Sequence, residues 1–281
     1  MIEDSLLGLS AAGFHRIAYT DWGDPAAERV VVCVHGLTRN SRDFDRLAED
    51  LAGSGARVVC PDIVGRGRSD WFAFPALYTD PQYFADLTAL IARLGAAEID
   101  WIGTSMGGLF GMVLAAQPQS PIRRLVLNDV GPFVPKASLE RIGDYVGRDP
   151  IFEDVAGVEA YLRFLYTGFG VLPDACWSAM AEHGHRLRPD GRLGLAYDPT
   201  IGNALKSGAV EDIMLWPLWD RIRCPVLVLR GADSDLLLPE TAREMAERGP
   251  KATVVDIPGT AHAPSLMVEP QIALIRDFLF G

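Results

Sequence analysis

The sequence predicts an α/β fold in which a mostly parallel sheet of the eight-stranded type carries helices on both faces. Short apolar runs that resemble buried strands alternate with segments whose apolar residues recur at helical spacing, and this order is typical of a parallel sheet. The hydrophobic content of 49% is sufficient for a sheet that is covered on both sides. A length of 281 residues suits one large α/β domain with an insertion.

The predicted elements follow one another along the chain. An antiparallel first strand is predicted from Phe14 to Trp22, because apolar and polar residues alternate there and a Gly-Asp-Pro turn follows. Two of the predicted helices have apolar residues at helical spacing, from Phe44 to Leu51 and from Phe84 to Leu94. The remaining strands are predicted at about 30–34, 57–60, 98–102, 123–128, 225–230 and 252–257.

The alternation of strands and helices stops between Pro132 and Trp219. This stretch contains helix-like segments but no convincing strand. We therefore predict a core formed by residues 1–132 and 219–281, and a helical insertion formed by residues 133–218.

The segment Gly103-Thr104-Ser105-Met106-Gly107 lies between a predicted strand and a predicted apolar helix. A tight strand-to-helix turn of this kind accepts only small residues at its two glycine positions and projects the serine hydroxyl away from the sheet. The helix N-terminus also favours a developing oxyanion. The pattern predicts Ser105 as a nucleophile, with Gly103 and Gly107 as its structural support.

A serine nucleophile needs a base, and His262 is the favoured candidate among five histidines. It lies in a Gly- and Pro-containing loop, residues 258–264, between the last predicted strand and a final amphipathic helix. By contrast, His15 is predicted on a strand surface, and His183 and His185 lie in a polar, solvated stretch.

The acid that orients the histidine is expected between the serine and the histidine in the chain. The loop Gly231–Pro239 leaves the carboxyl end of a predicted strand, where catalytic groups of parallel sheets collect. Asp235 is favoured over Asp233, because the three apolar residues after Asp235 predict partial burial.

Taken in order, four features resemble the α/β-hydrolase family, and the resemblance covers nearly the whole chain. They are the dipeptide His35-Gly36, the segment Asp62-Ile63-Val64-Gly65-Arg66-Gly67-Arg68-Ser69-Asp70, the serine turn, and the ordered Asp235 and His262.

The resemblance implies a role for each of these segments. The backbone N–H groups of Leu37 and Met106 would form the oxyanion hole, with His35 and Gly36 as structural support. Residues 62–70 would brace the mouth of the site, and residues 133–218 would form a helical cap. The resemblance also makes Asp129 a third candidate for the acid, because related enzymes sometimes place it there.

The activity implied by the resemblance is hydrolysis of small or medium-chain carboxylic esters through an acyl-enzyme, without a cofactor or a metal. The segment Asn128–Pro132 looks like that of bacterial esterases, some of which act on hydroxyalkanoate oligomers. A lactonase, a perhydrolase or a C–C bond hydrolase on the same triad remains open, as does a non-catalytic ligand-binding protein. A C–C bond hydrolase would need a polar cap pocket, to which Arg141, Arg148, Arg163 or Arg188 could contribute.

Composition limits the partners and the compartment. The formal net charge of −11 disfavours nucleic acid and anionic membranes, and leaves a small-molecule ester as the expected partner. No apolar run approaches the roughly 18 residues of a membrane span, and the acidic N-terminus does not resemble a signal peptide. The four cysteines have no CxxC spacing, which favours free thiols in a reducing cytoplasm.

Overall fold

A single eight-stranded sheet organises the chain in the computed structural model, which describes residues 1–206 and 210–281. Its strands are β1 Ile2–Ser10, β2 Gly13–Trp22, β3 Arg29–Val34, β4 Ala56–Pro61, β5 Ile99–Thr104, β6 Ile122–Asn128, β7 Val226–Gly231 and β8 Thr253–Ile257. They lie in the order β1-β2-β4-β3-β5-β6-β7-β8. The pairs β1/β2 and β2/β4 are antiparallel and all other pairs are parallel, so the predicted fold class is confirmed.

Helices connect the strands and cover both faces of the sheet. The longer ones are α1 Asp45–Gly53, α2 Asp80–Leu94, α3 Met106–Ala115, α4 Lys136–Gly143, α5 Val155–Leu165, α6 Asp174–His183, α7 Pro239–Glu247 and α8 Glu269–Phe280. Helix α2 is capped at both ends. Thr79 accepts a hydrogen bond from the N–H of Gln82, and Gly95 ends the helix in the left-handed region at φ 67°.

The apolar core consists of two layers, one on each face of the sheet. Alternate residues of β3 supply both layers, with Val32 in one and Val31 and Cys33 in the other. The same alternation places Trp101 and Ile102 of β5 on opposite faces. Because β3 and β5 are buried on both sides, the turns that follow them have little freedom to move.

Residues 133–218, which we call the insert, lie between β6 and β7. The described part of the insert adds no strand to the eight-stranded sheet. It contains α4, α5 and α6, the four-residue helix Asn203–Lys206, the start of the helix Trp216–Trp219, and most of an apolar cluster around Leu162 and Trp177.

The structure adds elements that the sequence did not predict. Strand β1 was missed because most of its side chains are exposed, so it lacks the signature of a buried strand. Two short strand pairs in the insert were missed as well. These are His185–Leu187 with Leu193–Leu195, and Phe133–Val134 with Ile213–Met214. Within the described ranges, no helix is both long enough and apolar enough to cross a membrane.

Candidate active site

Ser105 occupies the turn between β5 and α3, with φ 52° and ψ −115°. This backbone conformation is strained for a residue with a side chain, and close packing maintains it. A Cβ atom on Gly103 would overlap the carbonyl group of Gly107, and one on Gly107 would overlap the carbonyl group of Val34. The turn is therefore so tight that both positions require glycine.

His262 and Asp129 complete a chain of hydrogen bonds with Ser105. The Nε2 atom of His262 lies 2.9 Å from the Ser105 Oγ atom. The Nδ1 atom lies 2.7 Å from Oδ2 of Asp129, a fully buried carboxylate. A carboxylate only accepts hydrogen bonds, so the imidazole carries its proton on Nδ1 and presents an unprotonated Nε2 to the serine hydroxyl.

The structure does not place Asp235, the acid predicted from sequence, next to His262. Asp235 forms two hydrogen bonds with Arg141 of α4, at 2.5 and 2.9 Å, and its side chain is 50% exposed. Asp233 is also exposed, and its backbone N–H donates to the carbonyl of Thr260 in residues 258–264, which we call the histidine loop. The structure brings together Ser105, His262 and Asp129, the third of the candidates considered from sequence.

The loop after β7 supplies hydrogen-bond donors to Asp129. The N–H of Gly231 donates to Asp129 Oδ1 at 2.7 Å, and the Ser234 hydroxyl donates to Oδ2 at 2.6 Å. With His262, three donors fix the carboxylate. Strand β6 lies between β5 and β7, so an acid at the end of β6 is only one strand away from Ser105. The sequence signal for Asp129 was its position directly after a buried strand, and the apolar residues after Asp235 outweighed it.

Three parts of the chain fix the position of the histidine loop: the end of β6, the end of β7 and the insert. The Asn128 side-chain amide donates to the carbonyl of Pro264 at 2.8 Å. Gly231 packs so closely against Ala261 that any side chain there would overlap its carbonyl group. From the insert, the Gly168 carbonyl accepts a hydrogen bond from the N–H of Ala261 at 2.7 Å.

The segment after β3 lies against the same site. The carbonyl of Gly36 accepts hydrogen bonds from His35 Nδ1 at 2.7 Å and from the N–H of Arg39 at 3.1 Å. In a trans peptide the N–H of Leu37 points away from that carbonyl. Met106 is the first residue of α3, where N–H groups lack partners within the helix. Both Leu37 and Met106 line the cavity beside Ser105.

That cavity has a volume of about 500 Å³ and a largely apolar lining. Core and insert both contribute to it, through residues such as Phe110 and Val130 from the core and Leu139 and Ile213 from the insert. Among the described residues that line it, none is Lys, Arg or His.

The four arginines considered for a polar pocket lie outside the cavity lining. Three of them are paired with carboxylates, as Arg141 with Asp235, Arg163 with Glu159 and Asp174, and Arg188 with Asp149. In the part of the chain that the structure describes, no group of three or more His, Cys, Asp or Glu side chains is arranged to hold a metal ion.

The strand order and a serine on the turn after β5 define the α/β-hydrolase class. The chain belongs to the Alpha/beta hydrolase family, which matches residues 31–274.

Individual relatives agree with this assignment. The chain is 46% identical to the 3-hydroxybutyrate-oligomer hydrolase of Cupriavidus necator over 97% of its own length and 96% of that protein. It is 27% identical to the 2-(acetamidomethylene)succinate hydrolase of Mesorhizobium japonicum over 87% of the chain and 86% of that protein. An α/β hydrolase structure from Novosphingobium aromaticivorans matches with a TM-score of 0.87 and 38% identity over 99% of this chain and 98% of the other.

Proposed function

We propose that this protein is a serine hydrolase that cleaves carboxylic esters, and that its substrates include short oligomers of 3-hydroxybutyrate. The observation that carries the proposal is the continuous chain of hydrogen bonds from Ser105 through His262 to Asp129. Ser105, at one end of this chain, lines an apolar cavity. The 46% identity with a 3-hydroxybutyrate-oligomer hydrolase over nearly both full lengths supports the substrate class.

The proposed reaction starts with attack of the Ser105 oxygen on the ester carbonyl carbon, while the serine proton moves to Nε2 of His262. The carbonyl electron pair moves to the oxygen, which the N–H groups of Leu37 and Met106 stabilise. His262 then returns the proton to the departing alcohol as the C–O bond breaks. Water attacks the acyl-enzyme by the same steps and releases the acid, while Asp129 holds the imidazole and stabilises its cation.

The insert serves as a cap in this proposal. Leu139 and Ile213 line the cavity from the insert, where they would exclude water from the acyl group. Most apolar contacts for a substrate would therefore come from both the core and the insert.

The charge of the cavity sets the orientation of an oligomer. A 3-hydroxybutyrate oligomer carries one carboxylate, at the end that lies on the alcohol side of every ester bond. No cation lines the cavity in the described chain, and burial of an unpaired carboxylate is costly. The uncharged acyl side therefore enters the cavity, and the carboxylate end stays outside.

The test uses matched pairs of esters with the purified protein and its Ser105→Ala variant. Ethyl butyrate should be hydrolysed at least about tenfold faster than monoethyl succinate, whose acyl side carries a carboxylate. The 3-hydroxybutyrate dimer and its methyl ester should be hydrolysed at similar rates, and Ser105→Ala should be inactive on all of them. Absence of turnover on every ester, or full activity of Ser105→Ala, would contradict the proposed function.

A further inference from the structure

Arg66 is a fully buried cation, with 0% of its surface exposed. In the described part of the chain, its guanidinium group contacts two carbonyl oxygens, a tyrosine hydroxyl and a methionine sulfur, and it forms no ion pair with a carboxylate. Burial of a charge that has no ion-pair partner is costly, so an arginine in this position needs a reason beyond packing.

Two of the partners of Arg66 are Leu37 and Met106, the proposed oxyanion donors. Its Nε–H donates to the carbonyl of Leu37 at 2.8 Å, and one terminal nitrogen lies 3.7 Å from the sulfur of Met106. The other terminal nitrogen donates to the Val64 carbonyl at 2.8 Å and to the Tyr83 hydroxyl at 3.0 Å. The guanidinium also lies over the Tyr83 ring, 5.1 Å from its centre.

His35 fixes the neighbouring peptide from the same direction. Its Nδ1–H donates to the Gly36 carbonyl, and its Nε2 accepts the N–H of Ile63 at 3.0 Å. Burial lowers the pKa of His35 to about 3, and the positive charge of Arg66 also lowers it, so the ring remains neutral. The two successive peptides on either side of Leu37 are thus both anchored, one through His35 and the other through Arg66.

We propose that Arg66 is a positioning residue for ester hydrolysis. It fixes the backbone of Leu37, whose N–H would point at the substrate oxygen, and its positive charge lies behind Leu37 and Met106, the two residues that donate to the oxygen that becomes negative. The second effect is strong in a buried site, where the field of a charge is poorly screened. This inference rests on the proposed ester hydrolysis and adds a residue that the serine, histidine and aspartate do not account for.

The insert is connected to the same arginine through the backbone. The N–H of Gly67 donates to the carbonyl of Ala196, and the N–H of Asp198 donates to the carbonyl of Gly65, both at 2.8 Å. The backbone on both sides of Arg66 is therefore hydrogen-bonded to the insert. The side chain of Arg66 in turn is hydrogen-bonded to Leu37, so Arg66 links the insert to the segment after β3.

The experiment compares Arg66→Met and Arg66→Lys with a control, Arg68→Met. Arg68 lies in the same loop, but its side chain pairs with Glu3 and Asp62 and forms no hydrogen bond with Leu37 or Met106. Each protein is measured for kcat and KM with p-nitrophenyl butyrate. Inhibition by an aliphatic trifluoromethyl ketone is measured as well, since Ser105 adds to its carbonyl carbon and leaves a negative oxygen in the oxyanion site.

Arg66→Met should lower kcat by about 10²- to 10³-fold, the usual effect of losing one oxyanion donor. KM should stay within about threefold, and binding of the trifluoromethyl ketone should weaken by a factor similar to that for kcat. Arg66→Lys, which keeps the charge but cannot reach all the acceptors, should fall between wild type and Arg66→Met. Arg68→Met should stay within about twofold of wild type.

Two results would overturn the proposal. One is a kcat within about threefold of wild type in Arg66→Met, and the other is a loss that appears in KM alone while inhibitor binding is unchanged. If Arg66→Met does not fold, Arg66→Lys decides the question, because wild-type kcat and inhibitor binding in that variant would also overturn the proposal. If the wild-type protein hydrolysed no ester, the proposed function would fail separately, and inhibitor binding would still test the role of Arg66.

Discussion

Gly168 of the insert accepts a hydrogen bond from the N–H of Ala261, the residue directly before His262, at 2.7 Å. The contact is close, since a Cβ atom on Gly168 would lie 2.9 Å from the Cβ of Ala261 and 3.7 Å from the N atom of His262. The insert therefore packs tightly against the backbone next to His262, the proposed base. Its position should affect the chemistry as well as the entry of substrate.

Gly168→Ala should displace the histidine loop and lower kcat by about tenfold, because small displacements of a catalytic group are costly. Gly143→Ala is a matched control in the same insert. A Cβ atom there would make only ordinary contact, 3.7 Å from the Cβ of Leu205. The measurement is kcat with p-nitrophenyl butyrate, together with thermal unfolding. Equal activities of the two variants would mean that the insert does not position His262.

Asp129→Asn should lower kcat by about 10⁴-fold, because an amide does not hold the imidazole in the tautomer that accepts the serine proton. Asp235→Asn should stay within about twofold of wild type, since it removes only a half-exposed ion pair with Arg141. Steady-state kinetics of both variants, with circular dichroism to verify folding, distinguish the two carboxylates. A larger loss from Asp235→Asn would restore the assignment made from sequence.

The different outcomes for Asp129 and Asp235 indicate how far sequence reasoning reaches. The turn at Ser105 was predictable because its constraint is local, and two glycines must flank a strained serine. His262 followed from its loop and from the small number of histidines. The choice of acid depended on which strand lies next to β5, and the order of strands in a sheet is a property of the whole fold.

Other features were missed for a related reason. Strand β1 has mostly exposed residues, so no periodic burial marked it. The short strands of the insert pair over only two or three residues, which is too short for a hydrophobic pattern. Arg66 lay within a segment to which a bracing role was assigned as a whole, and only the contacts in three dimensions distinguish it from Arg68.

The buried His35 should make the fold sensitive to acid. Its pKa is lowered by burial from 6.5 to about 3 in the folded protein, whereas the unfolded chain binds the proton at the ordinary value. Its contribution to stability is therefore fully present above pH 6.5 and is lost progressively as the pH falls toward 3. Between pH 7 and pH 4.5 the loss should be about 2–3 kcal/mol, at 1.36 kcal/mol per pH unit below the unfolded pKa.

The variant His35→Asn removes this titration while keeping a donor for the Gly36 carbonyl. Urea unfolding of both proteins at pH 7 and pH 4.5 gives the comparison. The free energy of unfolding of the wild type should fall by about 2–3 kcal/mol more than that of the variant. Other groups, such as the buried Asp62 with its raised pKa, titrate in both proteins and cancel in the difference. Parallel losses in the two proteins would show that His35 is protonated as readily in the folded state as in the unfolded state.

Leu37 should restrict the alcohol part of the substrate. It lines the cavity next to Ser105 and Met106, and a single glycine precedes it, so its side chain narrows the space beside the reacting carbonyl. Esters of primary alcohols should be hydrolysed well and esters of tertiary alcohols hardly at all. Hydrolysis of n-butyl acetate should therefore exceed that of tert-butyl acetate by about 100-fold or more, a difference that steric discrimination in a pocket can supply.

Leu37→Gly keeps the backbone N–H and removes the side chain, so it should raise the relative rate on tert-butyl acetate by about tenfold. Leu139→Ala is the matched control, because it enlarges the same cavity from the insert and leaves the segment after β3 intact. It should change the preference for acyl length but not the ratio between the two butyl acetates. If wild type hydrolysed both esters equally, or if Leu139→Ala changed their ratio as much as Leu37→Gly, the side chain of Leu37 would not be what limits the alcohol.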